Sequence, residues 1–252
     1  MQHETGSILL LQGDAEARLL ADAAGAVQAL FGERDMQLRS AWMIRPDWLH
    51  PSGPAAPESL VRRGALPADD VRALLEEPHR LVIFSLLPAV SMPAMRHRDG
   101  GAFLAHRGLM ETWSADVAAA VAAECREEPT LSPGAAVTAL EPVIERLQLK
   151  GTAAAVCTAF RCVREPLEYR KRAGPPGMRE QIRRINLEAA RLSQRTGCFV
   201  LDLDRPLAHE GGASLHADCF GGDARAAEIA VDEFAALVLD ALPDDFLPSE
   251  TA

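Results

Sequence analysis

Two segments near opposite ends of the chain contain residue types that can do acid–base or nucleophilic chemistry. An apolar run ends in the turn Gly13-Asp14-Ala15, which opens a helix, and a strand-to-helix turn of this kind can present a nucleophile. Near the other end, His216 lies in a glycine-flanked loop, where an imidazole that titrates near neutral pH can act as a general base. Ala15 stands where the turn would present the nucleophile, and a methyl group does no such chemistry.

Three further polar residues could support this pair, and each also has an ordinary structural interpretation. Asp218 lies two residues after His216 and could orient the imidazole, or it could cap a helix or face solvent. Asp14 could bond to backbone amides of the turn or serve as a helix N-cap. Ser85 ends an apolar run and could donate a hydrogen bond to an oxyanion, or it could be a plain strand-end serine.

Two basic segments could hold an anionic group. The first contains Arg96 and Arg98, and the second contains Arg161 and Arg164. Because the guanidinium fork suits phosphate or carboxylate, we expect at least one of these arginines to line the same pocket as His216. The alternative is that all four are solvated charges on the surface.

Composition limits the classes of protein to which this chain can belong. Its 252 residues are 48% hydrophobic with a formal net charge of -10, which suits one packed domain and disfavours nonspecific nucleic-acid binding. The sequence has no apolar stretch of membrane-spanning length and no basic region ahead of an apolar segment. Five cysteines, an odd number, predict reduced thiols in the cytoplasm. No His, Cys or carboxylate cluster has the spacing of metal ligands, so we expect no metal.

The order of the predicted elements indicates a parallel sheet. Short apolar runs predict five strands, at 7–12, 36–43, 80–87, 152–160 and 198–203. Helices are predicted at 16–31, 67–77, 113–127, 139–149, 178–196 and 223–242, with a polar loop at 91–108. Strands that alternate with helices pair in parallel and are covered on both faces. We therefore expect an α/β, flavodoxin-like three-layer sandwich with strand order 2-1-3-4-5, one domain at 1–245 and a polar tail at 246–252.

These residues resemble motifs of the SGNH/GDSL hydrolase superfamily over most of the chain. The segment Leu11-Gln12-Gly13-Asp14-Ala15 is similar to the family's Gly-Asp-Ser turn, with alanine in place of serine. Arg184-Ile185-Asn186, the run Phe199–Leu203 and the loop histidine follow the family's closing order. Two family features are missing: an asparagine oxyanion donor after the third strand, and an aspartate three residues before the histidine, where Ala213 stands. Gly53 is a weak candidate for the family's oxyanion glycine.

The resemblance implies an esterase or acyltransferase that acts on an acyl ester or thioester. In an active form, a serine at position 15 would attack the acyl carbon and His216 would take its proton. The amides of the turn from Gly13 to residue 15 would help to hold the oxyanion. The basic segments suggest coenzyme A or a carrier-protein thioester as the acyl donor, so the partner is a small-molecule or carrier-bound acyl substrate, and no other cofactor is expected.

Ala15 leaves other functions open. Either an experimenter replaced a serine at this position, or the natural protein has alanine and has lost or rerouted hydrolysis. A non-catalytic SGNH-like protein would keep the pocket and bind a sugar or acyl ligand without turnover. A third alternative keeps catalysis without a covalent intermediate, with His216 activating an acceptor hydroxyl directly.

Overall fold

A parallel sheet forms the centre of the protein, which the computed structural model describes at residues 6–22, 24–31, 36–159, 178–210 and 224–242. The described residues form eight strands: β1 Gly6–Gln12, β2 Met36–Trp42, β3 Leu81–Ser85, β4 Ala94–His97, β5 Ala102–Leu104, β6 Cys125–Glu128, β7 Ala153–Cys157 and β8 Phe199–Leu201. The central sheet has the order β2-β1-β3-β7-β8, and every pair in it is parallel. This confirms the predicted α/β class, the five parallel strands and the order 2-1-3-4-5.

Helices cover both faces of this sheet, as the predicted three-layer sandwich requires. They are α1 Asp14–Asp22, α2 Ala24–Ala29, α3 Glu58–Arg62, α4 Val71–Glu76, α5 Leu87–Ser91, α6 Arg107–Met110, α7 Ala115–Glu124, α8 Pro133–Leu149, α9 Met178–Thr196, α10 Asp204–His209 and α11 Ala224–Ala241. Helices α1 and α2 pack with α11, and α5 and α8 pack with α9. Within the described ranges, no helix combines the length and apolar character that crossing a bilayer requires.

The two central strands explain why the sheet needs cover on both sides. Ile8 to Leu11 of β1 are at most 1% exposed, and all five residues of β3 are buried. A strand that is apolar on both faces can bury both only between two helical layers. The amphipathic helix α9 supplies part of one layer through Ile182, Ile185 and Leu192, which are almost completely buried.

A second, smaller sheet corrects the prediction of a polar loop at 91–108. Strand β4 pairs antiparallel with β5 on one side and with β6 on the other. The turn between β4 and β5 contains Gly100 with φ +93°, a conformation that favours glycine. The carboxylate of Asp99 accepts the N–H of Gly101 at 2.8 Å. These local bonds allow a hairpin in a segment whose polar composition indicated irregular structure.

Several predicted boundaries are wrong for identifiable reasons. The helix predicted at 113–127 ends at Glu124 because residues 125–128 pair with β4. The helix predicted at 139–149 begins at Pro133, since the hydroxyl of Ser132 accepts the N–H of Ala135 and caps an earlier start. The strand predicted at 80–87 ends at Ser85, and α5 follows it with a proline in its first turn.

Candidate functional site

The Gly13 turn lies where the sequence predicted it, between β1 and α1 at the carboxyl edge of the central sheet. The carbonyl of Gly13 accepts the N–H of Ala17 at 3.0 Å and so begins the helix. Ser85 and Cys157 end the neighbouring strands β3 and β7 in register with each other. Ligands in parallel α/β sheets bind at this edge, so the turn has the position that a functional site requires.

Glu16 is a buried carboxyl that the sequence analysis did not single out. Its side chain accepts the N–H of Gly13 at 3.0 Å and the hydroxyl hydrogen of Ser85 at 2.8 Å. Burial raises the pKa of Glu16 above its ordinary value, and this outweighs the lowering effect of the hydrogen bonds. A glutamate three residues after a helix N-cap commonly reaches back to the N-cap amide. The spacing from Gly13 to Glu16 was therefore the signal that could have identified this contact.

Cys157 completes the group of buried polar side chains under the turn. Burial raises the pKa of its thiol well above the ordinary value, and the charge of the Glu16 carboxyl acts in the same direction. Since the thiolate is the nucleophilic form of cysteine, Cys157 is an inert thiol at neutral pH. A hydrogen bond joins its thiol to the carboxyl of Glu16.

Asp14 ties the turn to a distant part of the chain. Its carboxylate accepts the N–H of Arg107 and the N–H of Gly108, both at 2.9 Å, and the residue is 2% exposed. The sequence left open bonds to amides of its own turn and a role as a helix N-cap. The structure adds partners that the sequence did not indicate, because the segment after β5 crosses this edge of the sheet and brings the first amides of α6 against the carboxylate.

His106 lies next to these amides and is almost completely buried. Its Nε2–H donates to the carbonyl of Met43 at 2.7 Å, and its ring lies 4.8 Å from that of Trp42. Nδ1 has no hydrogen-bond partner among the described residues. Burial lowers the pKa of His106, although the nearby charge of Asp14 opposes the shift. The imidazole is therefore neutral at physiological pH, with a free lone pair on Nδ1.

A cavity of about 540 Å³ extends from this point along the edge strand β2. Gln12, Trp42 and His106 are among the residues that line it, and Gln12 directly precedes the Gly13 turn. Residues 66–72 and the strand β5 provide other parts of its wall. Its size falls in the range of about 300–1,000 Å³ that is typical of small-molecule sites.

The N–H of Gly13, a predicted oxyanion donor, is held by Glu16, and two further predicted or possible donors are also engaged in this structure. Ser85 is completely buried, and its only hydroxyl hydrogen is donated to Glu16. The N–H of Gly53 donates to the carbonyl of His50 at 2.8 Å. In the conformation described, neither group has a hydrogen left for a developing oxyanion.

The remaining catalytic candidates fall largely outside the described residues. Ala15 is the second residue of α1, and the structure describes its backbone only. His216 and Asp218 lie outside the described residues, and so do Arg161 and Arg164. Their roles stay predictions. Within the part of the chain that is described, no three His, Cys, Asp or Glu side chains are grouped as metal ligands.

Arg96 and Arg98 belong to the small sheet region and not to the cavity beside the turn. Arg96 donates to the carboxylate of Glu128 at 3.0 Å, and the charged end of Arg98 lies 3.6 Å from Glu124. Both arginines line a separate, shallow depression of about 520 Å³, together with Cys125 and its neighbours. Each cation therefore has a carboxylate beside it, which weakens its attraction for an anionic ligand.

Comparison with known proteins supports the fold by structure and not by sequence. No family model matches the chain, and no curated protein matches it. Among solved structures, a lipase/acylhydrolase from Enterococcus faecalis is 13% identical with a TM-score of 0.52; the match covers 92% of this chain and 95% of that one.

Two other solved structures are similar to the same extent. A catalytic mutant of an acetylxylan esterase from Geobacillus stearothermophilus is 10% identical with a TM-score of 0.53, over 92% of this chain and 94% of that one. A protein from Slackia heliotrinireducens assigned to the SGNH hydrolases is 12% identical with a TM-score of 0.51, over 93% of this chain and all of that one. These likenesses show that the chain has the SGNH hydrolase fold.

Proposed function

We propose that the edge of the sheet around Gly13 is an SGNH-type acyl-ester site whose nucleophile position carries alanine. The observation that carries the proposal is the turn itself: a strand-to-helix turn at the carboxyl edge of the first strand, in a sheet with the SGNH order. In this scheme a serine at position 15 attacks the acyl carbon, and His216 accepts its proton. The activity is that of an esterase or an acyltransferase.

The first turn of α1 supports this chemistry on electrostatic grounds. The amides that open a helix lack partners within the helix and favour negative charge. Glu16 takes the N–H of Gly13 and that of its own backbone, so the amides that the proposal assigns to an oxyanion are those of Asp14 and residue 15. Asp14 holds the turn against the segment after β5 through two hydrogen bonds. The turn is therefore preorganised at the place where charge develops during acyl transfer.

Ala15 predicts that the chain as it stands forms no acyl-enzyme. Ala15→Ser should raise the hydrolysis of p-nitrophenyl acetate, because serine then has a base to activate it. The double change of Ala15→Ser with His216→Ala should remove the gain, since nucleophile and base act as one unit. Ala118→Ser, on the exposed side of α7, is the matched control and should change nothing.

Acetyl-coenzyme A distinguishes the acyl donors in the same experiment. Release of its thiol by the Ala15→Ser variant, again dependent on His216, would favour a coenzyme A or carrier-protein thioester over a simple ester. A folded Ala15→Ser variant that is inactive on both donors would overturn the acyl-ester proposal. Activity of the unaltered chain would overturn the serine mechanism and favour direct base catalysis by His216.

One observation favours a second function, a binding protein without turnover. Glu16 consumes two donors at the turn, the N–H of Gly13 and the hydroxyl of Ser85. A site that no longer performs acyl transfer can use such donors for stability. This alternative predicts that a sugar or acyl ligand binds to the unaltered chain and that the Ala15→Ser variant gains no activity.

A further inference from the structure

The cavity beside β2 is built by elements that the turn chemistry does not use. The carboxyl end of β2 lines it, with Met43 and Ile44 after it, and so do Leu66 and Val71. Phe103 of β5 and Leu109 of α6 also line the cavity. Aliphatic and aromatic carbons therefore provide most of the surface that an occupant would contact. Such a surface favours an apolar body, because burying it removes both surfaces from water.

His106 contributes an unsatisfied acceptor to this apolar wall. The residue lines the cavity, is 1% exposed, and has no partner for Nδ1 among the described residues. Its Nε2–H is held by the carbonyl of Met43, which leaves Nδ1 as an acceptor. A buried polar atom without a partner is uncommon in native proteins and calls for a missing donor. A hydroxyl or N–H on a ligand would supply that donor.

The charges around the cavity favour an uncharged occupant. Glu58, Asp69 and Asp70 line it, and the guanidinium there belongs to Arg72. Arg72 is already bonded to the carboxylate of Asp70 and to the carbonyl of Gly53, and Glu58 forms an ion pair with Arg62. The three carboxylates are exposed to solvent, which screens both their repulsion of an anion and their attraction for a cation.

We propose that this cavity binds a small uncharged alcohol with an aliphatic or aromatic body, whose hydroxyl donates to Nδ1 of His106. The apolar body lies against the residues of β2, β5 and α6 that line the cavity, and the hydroxyl lies at the ring of His106. The proposal does not rest on the ester chemistry, because binding requires no nucleophile at position 15.

Four related probes test each part of the proposal on the unaltered chain. Benzyl alcohol has the apolar body and the donor, benzyl methyl ether lacks the donor, benzoate is an anion and benzylamine is a cation. Affinities are measured by NMR titration that follows the indole N–H signal of Trp42, which lines the cavity. Benzyl alcohol should bind best, and the ether should bind roughly 3- to 10-fold more weakly, as one hydrogen bond predicts.

Two kinds of variant distinguish binding in the cavity from binding elsewhere on the surface. Ala56→Trp places an indole at an exposed position that lines the cavity and should abolish binding of benzyl alcohol. Ala119→Trp adds the same group on the exposed side of α7, away from the cavity lining, and should leave binding unchanged. His106→Phe should reduce the affinity for the alcohol to that for the ether. His106→Gln, which keeps a donor and an acceptor, should retain part of the preference.

Circular dichroism first establishes that each variant is folded. The proposal is overturned if benzoate or benzylamine binds more tightly than benzyl alcohol, if none of the probes binds, or if Ala56→Trp has no effect. Should His106→Phe not fold, the comparison of alcohol with ether on the unaltered chain decides whether a donor matters. Failure of alcohol binding would leave the Ala15→Ser test of the acyl-ester site standing, and inactivity of that variant would leave this binding test standing.

Discussion

Removing the carboxylate of Asp14 should destabilise the protein more than removing an ordinary helix cap. Each hydrogen bond to a charged group is typically worth about 1.5–3 kcal/mol, so the two bonds of Asp14 set an upper bound of roughly 6 kcal/mol. The substitution also removes the cost of burying the charged carboxylate, which offsets part of this loss. Arg107 is an exposed residue, so water can accept its N–H once the carboxylate is gone. We therefore expect Asp14→Ala to lower the free energy of unfolding by about 2–4 kcal/mol.

Asp70→Ala is the matched control, because Asp70 also accepts a backbone N–H through its carboxylate. It caps α4 at 3.0 Å, but half of its side chain is exposed. Loss of such a cap costs about 1 kcal/mol. Asp14→Asn should fall between the two, since the amide keeps one acceptor oxygen and loses the other.

Urea unfolding of the three variants measures these differences as shifts of the midpoint at constant slope. The expected order of stability is Asp70→Ala above Asp14→Asn above Asp14→Ala. If Asp14→Ala costs no more than Asp70→Ala, then the two amides after β5 are satisfied without Asp14. In that case the carboxylate of Asp14 does not fix the turn.

Three other outcomes follow from the packing and protonation of named groups. Gly13→Ala should lower the urea midpoint, because the Cβ of the new alanine would lie 2.9 Å from Cγ of Pro88. An unchanged midpoint would show that the turn accommodates the methyl group. The raised pKa of Glu16 means that the native state binds its proton more tightly than the unfolded state. The stability advantage of the protein over Glu16→Gln is then present below pH 4.5 and lost as pH rises through the native pKa, which unfolding at several pH values tests; a constant difference would contradict it. The hydrogen bond that the ring of His97 donates to the carboxylate of Glu124 raises the pKa of His97. Glu124→Gln should therefore lower that pKa in an NMR titration, and no shift would exclude Glu124 as the cause.

Much of the central architecture could be predicted from local sequence patterns. The apolar run of β1, with Ile8 to Leu11 buried on both faces, and the strand–helix alternation sufficed for five parallel strands in the observed order. The amphipathic repeat of α9 predicted its bounds, 178–196, without error. These features could be predicted locally because the spacing of apolar residues along the chain indicates whether a segment is a strand or a helix.

The small sheet and the partners of the turn could not be predicted in the same way. Strand β6, Cys125–Glu128, has no apolar alternation and is a strand only because β4 lies beside it. Pairing between strands is a tertiary contact that overrides local helix propensity.

The sequence by itself determined the layered α/β fold and the place of the Gly13 turn at the carboxyl edge of the sheet. Only the tertiary structure decided what surrounds that turn. Asp14 meets amides 93 and 94 residues further along the chain, and Glu16 meets the hydroxyl of Ser85, 69 residues away. Burial lowers the pKa of His106. The physical reason is that periodicity records which residues are buried, whereas hydrogen-bond partners and protonation depend on which distant segments share the same buried space.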